Sequence, residues 1–245
     1  QGTFLSSNAG CWGKENCSEL GCFSKVVHVE EKFAFKIPDI MPSPMAASLL
    51  CGGGTVWEPV CDYVTPGSKV GVISIGGLGT TAIKLAHIVG GDVVAFSSSA
   101  NKEAAVREIG ATGFVVTSDK EAMAAATGTL DVIIDTCPAN SDVASLMDLL
   151  KFNGTYVRVG IPPAADQSFS YKWIPLIFTQ KKIAGSIVTG SERSNSLFST
   201  AAAHWDLMKE SDDWKVEVVP FEEINEAMHK LKSRTNKGYR YILKW

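Results

Sequence analysis

The sequence predicts an α/β protein built on a doubly wound parallel sheet, and three observations lead to this fold class. Apolar strand-like runs alternate with helix-like segments through the middle of the 245-residue chain. Residues 69–96 show a strand, a glycine-rich turn, a helix and a second strand, which is the βαβ unit of a Rossmann nucleotide-binding domain. Strand-like patterns return near both ends of the chain, so we expect a smaller β-rich domain to which both termini contribute.

Six strands with helical crossovers are expected in the middle region. The strands are expected at residues 69–75, 93–96, 114–117, 130–136, 155–160 and 181–186. The helices are expected at residues 80–89, 102–109, 120–126 and 142–150. We therefore place the nucleotide domain at residues 52–187, between a first segment at 1–51 and a last segment at 188–245. In these flanks, the pattern predicts strands at 23–38, 216–221 and 239–243 and helices at 194–210 and 222–233.

The turn after the first strand carries most of a dinucleotide-binding fingerprint. Gly76 and Gly79 occupy the second and third glycine positions of G-x-G-x-x-G, and Ser74 stands at the first. The second glycine lets the backbone approach a pyrophosphate, and the third lets the helix pack close to the strand. Unpaired N–H groups at the start of the helix then bind the phosphates. The candidate contacts in this turn are Ser74, Gly76, Gly77, Leu78 and Gly79.

The second strand ends in hydroxyl residues, where an NAD enzyme usually carries an acid for the ribose 2′-hydroxyl. Ser97, Ser98 and Ser99 are followed by Lys102, and the first acid is Glu103. Neutral donors with one cation, and without a carboxylate to repel the ligand, suit a 2′-phosphate. The pattern predicts NADP(H) as the cofactor. The alternative is an ordinary polar loop after a buried strand.

Composition argues against several other classes of partner. A net charge of −3 and a pI of about 5.8 argue against nucleic acid and against an anionic membrane surface. No apolar run reaches the roughly 18 residues of a membrane span, and the first residues are too polar for a secretory signal. We therefore expect a cytoplasmic protein that acts on a small molecule. Six cysteines in a chain of this length do not require a disulfide framework.

A further pattern runs along the chain from Gly21 onward. Its segments, in order, are GCFSKVVHVEEKFAFKIP, SLLCGGGTVWEPV, GVISIGGLGTTAIKLA, FSSSANKE, GTLDVIIDT, LLKFNGTYVRVGIP, the SIVTGS region and NEAMHKLKSRTNKGYRYIL. Together they resemble the medium-chain zinc alcohol dehydrogenases, in the branch of the cinnamyl-alcohol and mannitol dehydrogenases. The resemblance implies a Rossmann domain flanked by a GroES-like catalytic domain made from both chain ends. It also implies that roughly the first third of such a protein is absent from this sequence.

The resemblance implies a function as well. It implies an NADP-dependent oxidoreductase that interconverts a primary alcohol, aromatic ones included, and its aldehyde by zinc-assisted hydride transfer. Cys51 corresponds to one of the three protein ligands of the catalytic Zn²⁺, and a small buried apolar residue is the alternative interpretation. A homodimer formed through residues 182–187 is also implied. The remaining cofactor contacts of the family correspond to Thr55, Thr136, Val159, Gly160, Ser186, Ile187 and Val188.

The chain departs from the family pattern at the metal. It contains no His-Glu pair, which supplies the family's zinc histidine, and a single cysteine cannot hold a catalytic zinc that needs three protein ligands. The proton-relay segment is absent too, so no catalytic residue is assigned. Two alternatives therefore stay open: a non-catalytic NADP-binding module, and a zinc-free quinone or enoyl reductase of the same superfamily. Also open are the roles of Cys11, Cys17, Cys22 and Cys137.

Overall fold

A computed structural model describes residues 29–163, 168–209, 216–233 and 240–245. The chain divides into two compact units. The nucleotide unit is Thr55–Ile187, and the flanking unit consists of the described residues before Thr55 and after Ile187. The sequence predicts domain boundaries at 51/52 and 187/188, and the two units divide at 54/55 and 187/188. Within the described ranges, no helix is both long and apolar enough to cross a membrane.

The helices and strands are numbered here in chain order. The strands are β1 (Lys69–Ile73), β2 (Asp92–Ser97), β3 (Ala111–Val116), β4 (Leu130–Asp135), β5 (Leu150–Arg158), β6 (Lys182–Gly185), β7 (Val216–Pro220) and β8 (Arg240–Lys244). The α-helices are α1 (Ser43–Ser48), α2 (Gly54–Tyr63), α3 (Gly77–Ile88), α4 (Glu103–Glu108), α5 (Lys120–Ala125), α6 (Val143–Asp148), α7 (Trp173–Thr179), α8 (Ser191–Ala203), α9 (Trp205–Met208) and α10 (Ile224–Lys232). A π-helical turn (Leu49–Gly53) follows α1.

The strands of the nucleotide unit form one six-stranded parallel sheet in the order β3-β2-β1-β4-β5-β6. The chain builds outward from β1 to β3 and then crosses back to place β4 on the other side of β1. In such doubly wound sheets, ligands bind beyond the carboxyl ends of the strands where the order reverses. The predicted fold class is confirmed, and this rule places a ligand crevice beyond the ends of β1 and β4.

The core of the nucleotide unit explains why its strands appear in the sequence as apolar runs. Four of the five residues of β1 and five of the six residues of β4 are buried, because helices cover both faces of the sheet. Phe96, Ile133 and Tyr156 are among the largest fully buried side chains of this core. Buried strands of a parallel sheet therefore lose the apolar–polar alternation of half-exposed strands.

One strand begins earlier than the sequence pattern predicts. β5 starts at Leu150 rather than at 155, and Leu150 pairs with Leu130 of β4. The register then shifts, and Asn153 takes a left-handed φ of 63° in the irregular stretch. Asn adopts this conformation more readily than most residues. The local sequence is therefore typical of a loop, although the residues on both sides of the irregular stretch pair with β4. The preceding helix α6 accordingly ends at Asp148 rather than at 150.

Among the described residues of the flanking unit, β7 and β8 form a two-stranded parallel sheet. The helix predicted at 194–210 is divided, because His204 leaves the helical conformation between α8 and α9. The strand predicted at 23–38 is wrong in its described part, 29–38. There a 3₁₀ turn (Glu31–Phe33) forms, and the Phe33 N–H donates locally to the Glu30 carbonyl at 2.8 Å.

Candidate functional site

The turn between β1 and α3 brings helix and strand into close backbone contact. A Cβ at Gly79 would stand under 3.0 Å from the Ser74 carbonyl oxygen and 3.2 Å from Thr136 Oγ1. Ser74 has a φ of 71°, in the left-handed region that glycine adopts freely. A non-glycine residue pays about 1–2 kcal/mol for this conformation. The serine at the first fingerprint position thus preserves the turn at the expense of backbone strain.

Gly76 faces open space instead. Apart from its two chain neighbours, no described residue has an atom within 4 Å of a Cβ built there, and the backbone of Gly76 (φ −120°, ψ −157°) is extended. It directly precedes the 12-residue helix α3, whose first N–H groups have no partner within the helix. The exposed turn continues through Gly77 and Leu78, which are half-buried. The protein's own packing therefore leaves room for a side chain at position 76. An anion bound at the start of α3 requires glycine there, because it must approach the backbone N–H groups closely.

The segment after β2 forms a small hydrogen-bonded loop. Ser97 is buried, and its Oγ accepts from the Ser99 N–H at 3.2 Å. The Ser99 hydroxyl donates to Asn101 Oδ1 at 2.6 Å, while Ser98 is exposed. Ser98 and Ser99 therefore lie at the rim beyond β2, where a ligand on this edge of the sheet would reach them.

Lys102 connects this loop to the glycine turn. Its Nζ donates to the carbonyl oxygen of Ile75 at 2.6 Å. The two segments that the sequence singled out therefore meet at one edge of the sheet, although 27 residues separate the partners. The sequence pattern gave no sign of this contact, because a lysine–carbonyl pairing has no spacing signature.

Thr136, directly after β4, fastens that strand to the same turn. Its Oγ1 lies 3.0 Å from the Ile73 carbonyl oxygen and 2.8 Å from that of Ser74. A hydroxyl has one proton to donate. The Thr136 side chain therefore serves the turn's own backbone, and only its acceptor capacity is left for a ligand.

The carboxyl ends of β4 and β5 are also in close backbone contact, as the strand and helix at the glycine turn are. The N–H groups of Val159 and Gly160 both donate to the Asp135 carbonyl, at 2.9 and 3.0 Å. A Cβ at Gly160 would stand 2.6 Å from the Cys137 carbonyl carbon. Glycine at 160 is therefore required by the protein's own backbone.

A charged cluster that sequence reasoning missed lies beneath these ends. Arg158 Nη1 and the Tyr156 hydroxyl each donate to Asp135 Oδ2 at 2.6 Å, and the Asp135 side chain is fully buried. Burial and the Asp135 charge raise the pKa of the Tyr156 hydroxyl well above its usual range. The sequence signal that was available is the presence of charged residues in two apolar strands: two aspartates in LDVIID and one arginine in TYVRVG.

The last predicted contacts follow β6. The Ser186 hydroxyl donates to the Thr55 carbonyl at 2.9 Å, and its N–H donates to the Arg158 carbonyl at 3.0 Å. Thr55 is buried and Ile187 is exposed. Val188, with a φ of 35°, already belongs to the flanking unit. The structure therefore brings Thr55 and Ser186 together within the nucleotide unit.

Cys51 lies in the π-helical turn of the flanking unit, and its thiol is exposed. The alternative interpretation as a small buried residue is therefore wrong. Arg240 Nη1 donates to the Ser48 carbonyl at 2.7 Å, and a Cβ at Gly52 would stand 2.8 Å from Arg240 Cζ. Burial lowers the pKa of this guanidinium, and the nearby Cys51 sulfur opposes the shift. The glycine after Cys51 thus makes room for the guanidinium.

A protein-family model described as "Zinc-binding dehydrogenase" matches residues 77–203, slightly more than half of the chain. The chain belongs to the zinc-binding dehydrogenase family. The matched region begins at the first residue of α3 and ends at the last residue of α8. The family resemblance drawn from the sequence is confirmed.

Several relatives of the chain carry names from the branch of the cinnamyl-alcohol and mannitol dehydrogenases. A "Probable mannitol dehydrogenase" from Mesembryanthemum crystallinum is 37% identical over 226 residues, which cover 91% of this chain and 60% of that protein. The solved cinnamyl alcohol dehydrogenase of Sorghum bicolor gives a TM-score of 0.76 at 34% identity, covering 88% of this chain and 59% of its own. CAD from Helicobacter pylori, complexed with NADP(H), gives 0.73 at 27% identity, covering 88% and 59%. The chain spans about three fifths of the length of the curated relatives it matches.

The described residues of this family member do not fit a zinc ion. In the ranges that the structure describes, no three His, Cys, Asp or Glu side chains come together as a metal site. A catalytic zinc takes three protein ligands, of which Cys51 would be one. That Cys51 is a zinc ligand therefore stays a prediction about one ligand only, and no chemical step is assigned to zinc. Three of the cysteines whose roles the sequence leaves open lie outside the described residues: Cys11, Cys17 and Cys22.

Proposed function

We propose that this chain binds NADP(H) beyond the carboxyl ends of β1 and β4 and serves an alcohol–aldehyde oxidoreductase. One observation carries the proposal: the open position at Gly76 directly follows Ile75, whose carbonyl accepts from the Lys102 ammonium. A pyrophosphate needs backbone N–H groups that it can approach closely, and an adenosine phosphate needs a cation. Both requirements are met at the same edge of the sheet.

The preference for NADP(H) over NAD(H) follows from the charges near the end of β2. Lys102 has three N–H donors, so its ammonium can keep the Ile75 carbonyl and still bind a 2′-phosphate. The first acid, Glu103, is paired with Arg107, at 2.9 Å to Nε and 2.7 Å to Nη2. Its carboxylate is therefore partly neutralised and does not repel the phosphate. The NADP(H) bound by the Helicobacter pylori relative supports the same choice.

In the proposed reaction the nicotinamide ring supplies the hydride chemistry. The residues of this chain bind and orient the cofactor. Thr136 holds the turn to β4, so the surface beneath the cofactor is fixed before binding. The remaining proposed cofactor contacts, at Val159, Gly160, Ser186, Ile187 and Val188, follow β5 and β6. For the substrate we propose a primary alcohol or its aldehyde, with aromatic alcohols first, because relatives are named cinnamyl alcohol dehydrogenases.

Isothermal titration calorimetry on the folded chain tests the cofactor assignment. NADPH should bind, and NADH should bind about tenfold more weakly if the ammonium contributes a charge-assisted bond. Absence of heat with both NADPH and NADP⁺ in folded protein overturns the assignment. Assays with cinnamyl alcohol then separate the alternatives: cofactor binding without turnover favours a non-catalytic module. Quinone reduction by zinc-free protein favours the zinc-free reductase.

We also propose a homodimer that forms through β6 and α7. β6 is the last strand in the sheet order, and an open edge of this kind invites pairing with another chain. Nearby, α7 exposes four large apolar side chains, a patch typical of a protein interface. These are Trp173, Ile174, Ile177 and Phe178.

Sedimentation at micromolar concentration tests the dimer. Phe178, which is 78% exposed, is replaced by lysine, and Phe152, 63% exposed on β5, serves as the matched control. Phe178→Lys should yield monomers while Phe152→Lys stays dimeric. A monomeric parent protein contradicts the proposal.

A further inference from the structure

The cluster of Asp135, Tyr156 and Arg158 joins the carboxyl ends of β4 and β5, and the proposed function gives it no direct role. The Asp135 side chain is fully buried, and that of Arg158 is 22% exposed. Asp135 Oδ2 accepts from both partners, and Oδ1 accepts from the Cys137 N–H at 2.9 Å. Both carboxylate oxygens are therefore occupied.

Arg158 uses its remaining donors mainly on the segment that follows β4, and one of them on the residue pair that follows β5. Nη2 donates to the carbonyl oxygens of Ala139 and Cys137 at 2.6 and 3.0 Å. Nη1 reaches the Ser141 hydroxyl at 2.7 Å, and Nε donates to the Gly160 carbonyl at 2.7 Å. Residues 136–142 have no regular secondary structure. This one guanidinium therefore supplies much of what holds the segment in place.

The sheet order places this segment at a definite end of the proposed cofactor. The serine loop that would bind the adenosine phosphate follows β2, on one side of β1. Residues 137–141 follow β4, on the other side. A dinucleotide spans the crevice between these two sides, so the segment lies on the side of the nicotinamide half.

We propose that Arg158 is a positioning residue for the nicotinamide half of NADP(H). The Arg158 side chain holds residues 137–141 between Asp135 and Gly160. It thereby fixes the position of the segment that the nicotinamide half of the cofactor contacts. The inference rests on the proposed function. It differs from a role in stability alone, because a stabilising clamp has no reason to favour one half of the cofactor over the other.

Two ligands separate these roles: NADPH, and adenosine 2′,5′-bisphosphate, which lacks the nicotinamide half. The test variant is Arg158→Lys, which keeps the charge beside Asp135. The lysine ammonium cannot reach the other four acceptors, which are the Ser141 hydroxyl and the three backbone carbonyls. A second variant, Asp135→Asn with Arg158→Gln, removes both charges together. Lys151→Met is the matched control, since it breaks the Lys151–Asp131 pair (2.8 Å) at the amino ends of the same two strands.

Calorimetry should show the NADPH Kd rising about tenfold in both test variants, because a segment that is no longer held must be ordered on binding. The bisphosphate Kd should stay within about twofold, and the control should change neither value. Equal loss of both ligands, or unchanged NADPH binding, overturns the inference. Unfolding of both test variants also overturns it, because the cluster then acts on the fold. A parent protein that binds neither ligand overturns the proposed function instead.

Discussion

The two fingerprint glycines are expected to respond in opposite ways to the same added methyl group. At Gly79 a Cβ meets the Ser74 backbone carbonyl, whereas at Gly76 it meets no described residue within 4 Å beyond its chain neighbours. The change Gly79→Ala therefore tests how the turn is built. The change Gly76→Ala tests what the turn binds. Each variant is the control for the other, because both place one methyl group in the same turn.

The expected magnitudes follow from these surroundings. At Gly79, overpacking costs about 3 kcal/mol, the upper part of the usual range, because a backbone carbonyl has no rotamer to change. Disturbing the Thr136–Ser74 hydrogen bond adds about 1 kcal/mol, and alanine's better helix propensity returns about 1 kcal/mol. The free energy of unfolding should fall by about 3 kcal/mol. At Gly76, losing glycine at the N-cap costs only about 0.5–1 kcal/mol.

Urea unfolding followed by circular dichroism measures the stabilities, and NADPH fluorescence measures binding. Gly79→Ala should be much less stable than Gly76→Ala. Gly76→Ala should lose at least about tenfold in NADPH affinity if the pyrophosphate occupies the open space. A Gly79→Ala protein as stable as the parent refutes the close-approach argument. Full NADPH affinity in Gly76→Ala refutes the placement of the phosphates.

Three further changes test other parts of the nucleotide unit. Burial lowers the pKa of Lys84 from 10.5 to about 8, so the unfolded chain holds this proton to higher pH than the folded chain. The parent's free energy of unfolding should therefore rise relative to Lys84→Met between pH 8 and 10.5, by at most about 3 kcal/mol; parallel pH profiles contradict this. Ser74→Gly should stabilise by up to about 1 kcal/mol and Ser74→Val should destabilise by about 1–2 kcal/mol in urea unfolding, given the φ of 71°. Lys102→Ala should weaken NADPH binding by about 1–3 kcal/mol and NADH binding far less, measured by calorimetry, and equal losses count against the 2′-phosphate role.

The fold could be predicted because its signals are local. Buried parallel strands leave apolar runs in the sequence, and the turn at 74–79 combines a strand end with a helix start. The errors are local as well. β5 begins at Leu150 because a strand can continue through the irregular stretch at Asn153, where the sequence is typical of a loop.

The candidate site was only partly predictable, because its decisive contacts join residues far apart in the chain. Lys102 reaches Ile75 across 27 residues, and Arg158 reaches Asp135 across 23. Sequence spacing carries no record of such pairs. A single charged residue in an apolar strand indicates that a partner exists, without identifying it, since buried charges are rarely left unpaired.

The predicted cofactor contacts differ in what they have left to offer a ligand. The hydroxyls of Thr136 and Ser186 each donate their one proton to the protein's own backbone, at Ser74 and Thr55. They can therefore shape the crevice or accept a hydrogen bond, but they cannot donate to a phosphate without giving up an internal bond. The Lys102 ammonium donates to one carbonyl and retains two N–H groups and its charge. Among these three side chains, Lys102 is therefore expected to decide cofactor affinity directly, while the two hydroxyls act through the geometry of the backbone that they hold.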